Sequence, residues 1–546
     1  MKTNHIKIRE SKANHVELPV VMTIAGSDSS GGAGIEADLK TFSAFGVYGM
    51  TCITALTAQN TKGVKTFEKT SSNLLSQILL ANFEDFYDNE GPLKVIKTGM
   101  LTKEAILELT KYELNGIKFV IDPVMISTSG STLIDTEGIQ HCINYLIPKS
   151  YLVTPNFVEA KTIYSLLGGE VPVINTIQDF KSFVISLQNL LKCENLLVKG
   201  GHIPFDNNDR ESSTGERIID ILYQPSGEVT VFESKFIKSE NTHGTGCSLS
   251  SAIAANLAKN KDLVESVGIS IDYIHKGMLQ MSKLGHGNGP LNHNVQPVNY
   301  LHELVEYENG DLMKFDTEHT FLNYLINHPS VKDNWKKYTQ HPFVQQVANN
   351  TLPFDKFLYY LKQDYHYLII YARMHGLSAS KAETYQQTHS QATIISEIVQ
   401  EIENHKRKLK AYDVDYDKDI DELKPGKACI EYCDYLISCG MKEDYLGIKT
   451  ALAPCLHGYA EAGVYGLNLF KANPKSEDSE SKKVYKSWLD EYTSDWYQQA
   501  NIEGTKALNS LVDELPKKRV EELVRIFNDV TLLEINFWSE VLELDN

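Results

Sequence analysis

Asn241-Thr242-His243-Gly244-Thr245-Gly246-Cys247-Ser248-Leu249-Ser250 runs directly into Ser251-Ala252-Ile253-Ala254-Ala255. Glycines flank a threonine, a cysteine follows, and small residues continue at once, which predicts a Gly-rich turn feeding the first turns of a helix. Such a helix start leaves backbone N–H groups unpaired and pointing outward. With the positive end of the helix dipole they make a site for an anion, typically a phosphate. A thiol placed there is expected to have a lowered pKa, and so to hold or pass a proton near neutrality. The same residues also suit a plain helix cap with a buried cysteine. The rest of the first half weighs between the two.

Val20-Val21-Met22-Thr23-Ile24-Ala25 is a short apolar run, hence a buried strand, and it opens into Gly26-Ser27-Asp28-Ser29-Ser30-Gly31-Gly32-Ala33-Gly34. A helix is expected from about Ile35. Strand, Gly-rich loop and helix form a cradle for phosphate, although the spacing is neither the Walker pattern nor the dinucleotide fingerprint. Four further strand-like runs end in polar loops: Met50–Leu56 before Gln59, Phe119–Ile121 before Asp122, Tyr151–Val153 before Asn156 and Glu159, and Leu196–Val198 before Lys199. Val95-Ile96-Lys97-Thr98-Gly99-Met100 has the same form. Helical patterns separate most of them, so the first half is expected to be βαβ units around a mostly parallel sheet with helices on both faces. Asp28, Gln59, Asp122, Asn156, Glu159 and Lys199 then fall at the C-terminal ends of strands, the edge where such sheets bind ligands. Asp122 and Glu159 suit Mg²⁺, and Lys199 suits phosphate charge. Each alone is also an ordinary turn residue.

These residues carry a resemblance. Thr23–Asp28, Ala37–Phe42, Ile53–Thr61, Thr98–Leu101, Asp122–Met125, Thr154–Asn156 with Glu159, Lys199–His202, the 241–250 stretch and Gly285–Pro290 together resemble hydroxymethylpyrimidine/hydroxymethylpyrimidine-phosphate kinases of the ribokinase-like fold, over roughly the first 290 residues. The resemblance implies that Asp38, Gln59 and Met100 face the pyrimidine. It implies that Asn156 and Glu159 organise Mg²⁺ and the phosphates of ATP with Asp122, and that the N–H groups of Gly244, Thr245, Gly246 and Cys247 stabilise the transferring phosphoryl group. Most sugar kinases of this fold have an aspartate base where Cys247 stands, so the thiol would take the hydroxyl proton, provided the helix start depresses its pKa.

After Pro290 the pattern dissolves, and residues 294–316 read as linker. From about Thr317 apolar residues recur at helical spacing, which predicts an all-α domain over 317–546. Asp364 and Tyr367 share a helix face, as do Cys455 and Tyr459, and Pro454 is expected to kink the helix beside them. Glu534 stands among large apolar residues, where burial would raise its pKa as an acid catalyst requires. A buried cysteine and an ion-paired glutamate at the core's edge are the ordinary readings of the same residues.

Together with His341-Pro342-Phe343-Val344, Thr351-Leu352-Pro353 and Phe537-Trp538, these sets resemble the thiaminase II family, across nearly all of the second half. The resemblance implies Cys455 as the nucleophile that adds to a pyrimidine ring and Glu534 as proton donor and acceptor. Asp364 would bind the ring nitrogen and amine, and Tyr367, Tyr432, Tyr459, Tyr492 and Phe537 would line the pocket. The charged run from about Glu403 to Lys427 matches the family poorly.

Composition bounds the rest. A chain of 546 residues exceeds one ordinary core. A net charge of −18 argues against a coat for nucleic acid or an anionic membrane. No apolar run reaches bilayer length, and residues 1–18 read as a disordered tail without a secretory signal. Cys429, Cys433 and Cys439 form the one cysteine cluster, in no common zinc spacing, and a reducing, cytoplasmic setting fits. Homo-oligomerisation is implied by both families. The two halves make sense as a salvage unit, like fungal fusions of this kinase with thiaminase II: one half would release 4-amino-5-hydroxymethyl-2-methylpyrimidine, the other would phosphorylate it with Mg-ATP. The rivals are a pyridoxal-type kinase with a helical partner, and a non-catalytic pyrimidine-binding or regulatory protein. Retention of Cys247, Cys455 and Glu534 counts against the last, since binding alone needs no nucleophile.

Overall fold

Alternate residues of the central strands point into two separate cores. Met22, Ile24, Ile96, Ile121, Leu196 and Val198 pack on one face of the sheet, and Val21, Val95, Val120 and Leu197 on the other. Both faces being covered, the strands are apolar at every position instead of alternating. The computed structural model describes residues 18–87, 91–125, 136–299, 301, 312–410, 424–472 and 480–544. It divides into residues 1–305 and 306–546.

Among the described residues the first unit has nine strands: β1 (Val20–Asp28), β2 (Tyr48–Asn60), β3 (Gly63–Lys69), β4 (Leu93–Thr98), β5 (Lys118–Ile121), β6 (Leu152–Val153), β7 (Asn195–Val198), β8 (Arg217–Tyr223) and β9 (Val229–Lys235). Their order is β3-β2-β1-β4-β5-β6-β7-β8-β9. Strands β2 through β7 of that order run parallel, so their C-terminal ends share one edge. The antiparallel additions β3, β8 and β9 flank them, and the sequence reading lacked all three. The half-exposed patterns of β3 and β9 explain two of these, since edge strands do not form the continuous apolar runs that mark central ones, while β8 is buried except at its ends, with Asp220 interrupting its apolar run.

The second unit is helical, with a small addition. The strand β10 (Leu312–Lys314) pairs antiparallel with β11 (Glu514–Pro516), so part of the stretch read as linker is built into this unit. Met313 and Phe315 pack against its core. The helix Tyr445–Ala472 runs unbroken through Pro454. Cys429, Cys433 and Cys439 share the helix Lys427–Lys442. Among the described residues no helix is long and apolar enough to cross a membrane, and no cluster of His, Cys, Asp and Glu has metal-ligand geometry. Residues 1–17 of the expected tail, residues 300 and 302–311 of the expected linker, residues 411–423 of the charged run and residues 473–479 lie outside the described residues.

Candidate active sites

At the C-terminal edge of the sheet, Asp122 directly follows β5 and Lys199 directly follows β7, and the two side chains pair at 2.9 Å. Thr154 donates to the same carboxylate at 3.3 Å. The helix Thr245–Ala258 starts directly beside the pair: a Cβ on Gly246 would lie 3.4 Å from Lys199 Nζ and 3.6 Å from Asp122 Oδ2. Gly244 caps that helix at φ +79°, where a side chain would be strained and its Cβ would fall 1.8 Å from the Gly32 carbonyl. The first Gly-rich loop is therefore docked onto the helix start. Thr245 turns its hydroxyl back onto the Thr242 carbonyl, 3.1 Å away.

Asn156 and Glu159 form a reciprocal capping box at the start of the helix Phe157–Leu166. Burial pushes the Glu159 carboxyl up to about 7; Lys199 works against that, while Asp122 adds to it. Two carboxylates and a lysine thus crowd one spot. The oxygen donors left by Asp122 and Glu159 fit a divalent cation, whose charge would relieve their mutual repulsion.

Two expectations for this site need correction. Asp38 does not turn to a ligand: it is fully buried, and Lys97, Thr23 and Ser251 donate to its oxygens at 2.6–2.9 Å. Its partner Lys97 is equally buried, and the Asp38 charge keeps it protonated against the effect of burial. The Cys247 thiol is not acidified by the helix start. Burial pushes it up to about 11, with Lys97 pulling down and Asp38 and Asp122 pushing up. A low-dielectric setting outweighs the dipole of one helix end.

Gln59 and Met100 lie nearer the first loop. His243 Nε2 is 2.8 Å from Asp28 Oδ2 and 3.3 Å from the Gln59 amide nitrogen. Asp28 also accepts from the backbone of Ser30, Gly32 and Ala33. Burial alone would raise its carboxyl, but His243 and Ser30 outweigh this and hold it at about 2. The Asp28 charge fixes His243 Nε2–H as a donor, so the Gln59 amide fits best with its oxygen toward the ring. Met100 packs on Gly26, where a Cβ would meet its sulfur at 2.8 Å.

The helical unit collects its named residues around one buried centre. Tyr432 donates to Glu534 Oε1 at 2.7 Å, and the Tyr432 and Tyr367 hydroxyls are 3.3 Å apart. Burial pushes Glu534 up to about 8, with Tyr432 and Tyr338 opposing. Burial and then the Glu534 charge hold the Cys455 thiol well above its ordinary range, while the Tyr367 hydroxyl pulls it down. Tyr367, Tyr432 and Glu534 therefore form a hydrogen-bonded chain, and the Cys455 thiol stands close enough to Tyr367 and Glu534 to be shifted by both. Phe537 packs on Tyr367 and Tyr432 at 6.2 and 6.3 Å, and Tyr459 on Tyr492 at 4.9 Å. The buried Asp364 acts on Tyr360, Tyr459 and Tyr492, placing a second carboxylate across the aromatic wall.

Sequence reasoning missed Lys97, His243, Tyr338 and Tyr360. Lys97 carried a signal: a lysine inside an apolar central strand demands a buried partner. His243 carried one too, standing inside the Gly-rich turn. Tyr338 and Tyr360 did not stand out among so many core aromatics.

Residues 28–292 match the family model of phosphomethylpyrimidine kinase, and residues 328–544 that of the TENA/THI-4/PQQC family. A hydroxymethylpyrimidine/phosphomethylpyrimidine kinase of Saccharomyces cerevisiae is 37% identical, the match covering 97% of this chain and 96% of the relative. A thiamine biosynthesis protein of the same yeast is 36% identical over 97% of this chain and 92% of its own length. The crystal structure of a phosphomethylpyrimidine kinase from Clostridium difficile is 38% identical, with a TM-score of 0.39, covering 47% of this chain and 98% of that one. The chain belongs to the family that joins a hydroxymethylpyrimidine/phosphomethylpyrimidine kinase to a TENA/THI-4/PQQC domain.

Proposed function

We propose that the α/β unit phosphorylates 4-amino-5-hydroxymethyl-2-methylpyrimidine and then its monophosphate with Mg-ATP, in thiamine biosynthesis and salvage. The helical unit hydrolyses thiamine or its aminomethylpyrimidine breakdown products to supply that pyrimidine. One observation carries the kinase reading: Asp122, Lys199, Glu159 and the start of the 245–258 helix converge at the ligand-binding edge of the sheet. Asp122 and Glu159 would hold Mg²⁺, which shields phosphate charge when bound. Lys199 offsets the negative charge of Asp122 and of a phosphate. The N–H groups of Gly246 and Cys247 meet charge developing on the transferring group. A thiol held near 11 keeps its proton at neutral pH, so Cys247 acts as a donor to that group instead of as a base. Gln59, oriented by His243, reads the pyrimidine edge.

In the helical unit the Cys455 sulfur bonds to a ring carbon as the thiol proton moves to the ring nitrogen that gains the electron pair, so Glu534 keeps the proton its high pKa gives it at neutral pH. The C–N bond at the exocyclic methylene breaks, and the departing amine takes a proton from Glu534. Water adds to the methylene and returns a proton to Glu534. The C–S bond then breaks and the thiol is restored.

Variants separate the two reactions. Lys199→Met should abolish phosphoryl transfer and leave hydrolysis intact, and Cys455→Ser should do the reverse. If either variant kept its own reaction at the wild-type rate, the assignment of that site would be wrong.

A further inference from the structure

Tyr338 lies near the end of the helix Lys332–Thr339, with its ring against Trp335, Tyr459 and Trp538 at centroid separations of 5.7, 6.4 and 5.0 Å. It is completely buried, and its hydroxyl has no hydrogen-bond partner among the described residues. Such a hydroxyl costs about 1–3 kcal/mol, which phenylalanine in the same space would avoid. The ring also sits tightly against the helix that carries Cys455. A Cβ on Gly458, one turn beyond Cys455, would fall 2.0 Å from the ring and 2.8 Å from the phenolic oxygen. Only glycine there admits the ring so close to the helix.

The ring packs against both helices that carry the Cys455–Glu534 centre, at Gly458, three residues past Cys455, and at Trp538, four past Glu534. After burial, Glu534 and then Cys455 most strongly raise its proton affinity, and the phenol in turn lowers that of Glu534. Tyr432 occupies Oε1 of Glu534, and no hydrogen bond from a described residue reaches Oε2. The other titratable groups that Glu534 acts on are Tyr432 on the helix Lys427–Lys442, Cys455 and Tyr459 on Tyr445–Ala472, Tyr367 and Tyr371 on Phe354–Ser380, and Tyr497 on Asp495–Asn509. None is a cation, so only phenols and one thiol surround the carboxylate.

We infer that Tyr338 is the second arm of a phenol clamp on Glu534, donating to the oxygen that Tyr432 leaves open whenever the carboxyl gives up its proton. Tyr338 is a positioning residue, acting through Glu534. The mechanistic use of the clamp rests on the hydrolytic reading of the helical unit; its existence does not. Only a proton moves: a neutral carboxyl needs one donor fewer, and the anion recruits the second phenol.

The test is infrared titration of the full chain, following the protonated-carboxyl band identified by its loss in Glu534→Gln. Tyr338→Phe should move the midpoint upward by about one pH unit, since a charge-assisted hydrogen bond to the anion is lost. Tyr497→Phe should not move it. The melting temperature of Tyr338→Phe should stay level or rise. An unmoved midpoint overturns the clamp. So does a Tyr338→Phe chain that fails to fold, because an unpartnered hydroxyl adds nothing to folding stability. Hydrolysis is read separately: a moved midpoint without turnover by wild type sinks the hydrolytic reading and keeps the clamp, and turnover with an unmoved midpoint does the opposite.

Discussion

Single residues carry three testable consequences. Lys97 and Asp38 are both completely inaccessible. Lys97→Met leaves the Asp38 charge without its cation, so the α/β unit should lose about 3–5 kcal/mol in chemical denaturation. Cys247 is protonated at neutral pH on this account. Cys247→Ser, which keeps a donor, should then lose no more than about tenfold in phosphoryl transfer, within the range of one hydrogen-bond donor. A thiolate base would instead cost several orders of magnitude. Glu534 gives a pH signature. Its carboxyl is at about 8 when folded, well above its unfolded value. The folded state therefore holds a proton that the unfolded state has released. The stability this contributes is complete below the unfolded pKa and is lost as pH rises through about 8. Glu534→Gln should flatten that loss in thermal melts run from pH 5 to 9.

At the scale of elements, the helix start at Gly244 is the hinge of the kinase account. Gly244→Ala adds a positive-φ penalty and a clash with the Gly32 carbonyl, so the first loop must lift from the helix. The expected cost is about 1–3 kcal/mol of stability. Phosphoryl transfer should fall much further, about 10²-fold, because the N–H donors lose their placement; a kinase assay beside a denaturation curve separates the two. This junction was largely legible in the sequence. Glycines and small residues mark a helix start locally, and strands buried on both faces give unmistakable apolar runs. What the sequence hid was which polar residue meets which. Asp38 sits beside a ligand-type loop, yet its partner Lys97 lies 59 positions away. The acidification expected for Cys247 failed similarly: helix polarity is a local property, whereas desolvation depends on everything packed around the thiol. In the helical unit the Cys455–Glu534 pairing came from resemblance, because helical periodicity does not say which buried tyrosine faces a site and which merely fills space.

At the scale of the whole chain, the boundary between units is drawn by pairing, not by composition. Residues 312–314 read as linker but form a strand with residues 514–516, and Phe315 packs on Phe321 and Tyr324 at 5.2 and 5.8 Å. A helical fragment beginning at Glu306 should therefore be more stable than one beginning at Thr317, by about 2–4 kcal/mol for the buried aromatic and strand lost. Equal urea midpoints would refute that boundary. The central claim is that one chain frees a pyrimidine and phosphorylates it. The direct measurement is to give the purified chain the aminomethylpyrimidine with Mg-ATP and follow products by mass spectrometry, with pyridoxal as a control. The account predicts the hydroxymethylpyrimidine and then its diphosphate, with pyridoxal left largely unconverted. Aminomethylpyrimidine recovered unchanged, while added hydroxymethylpyrimidine is phosphorylated, would contradict the role given to the helical unit.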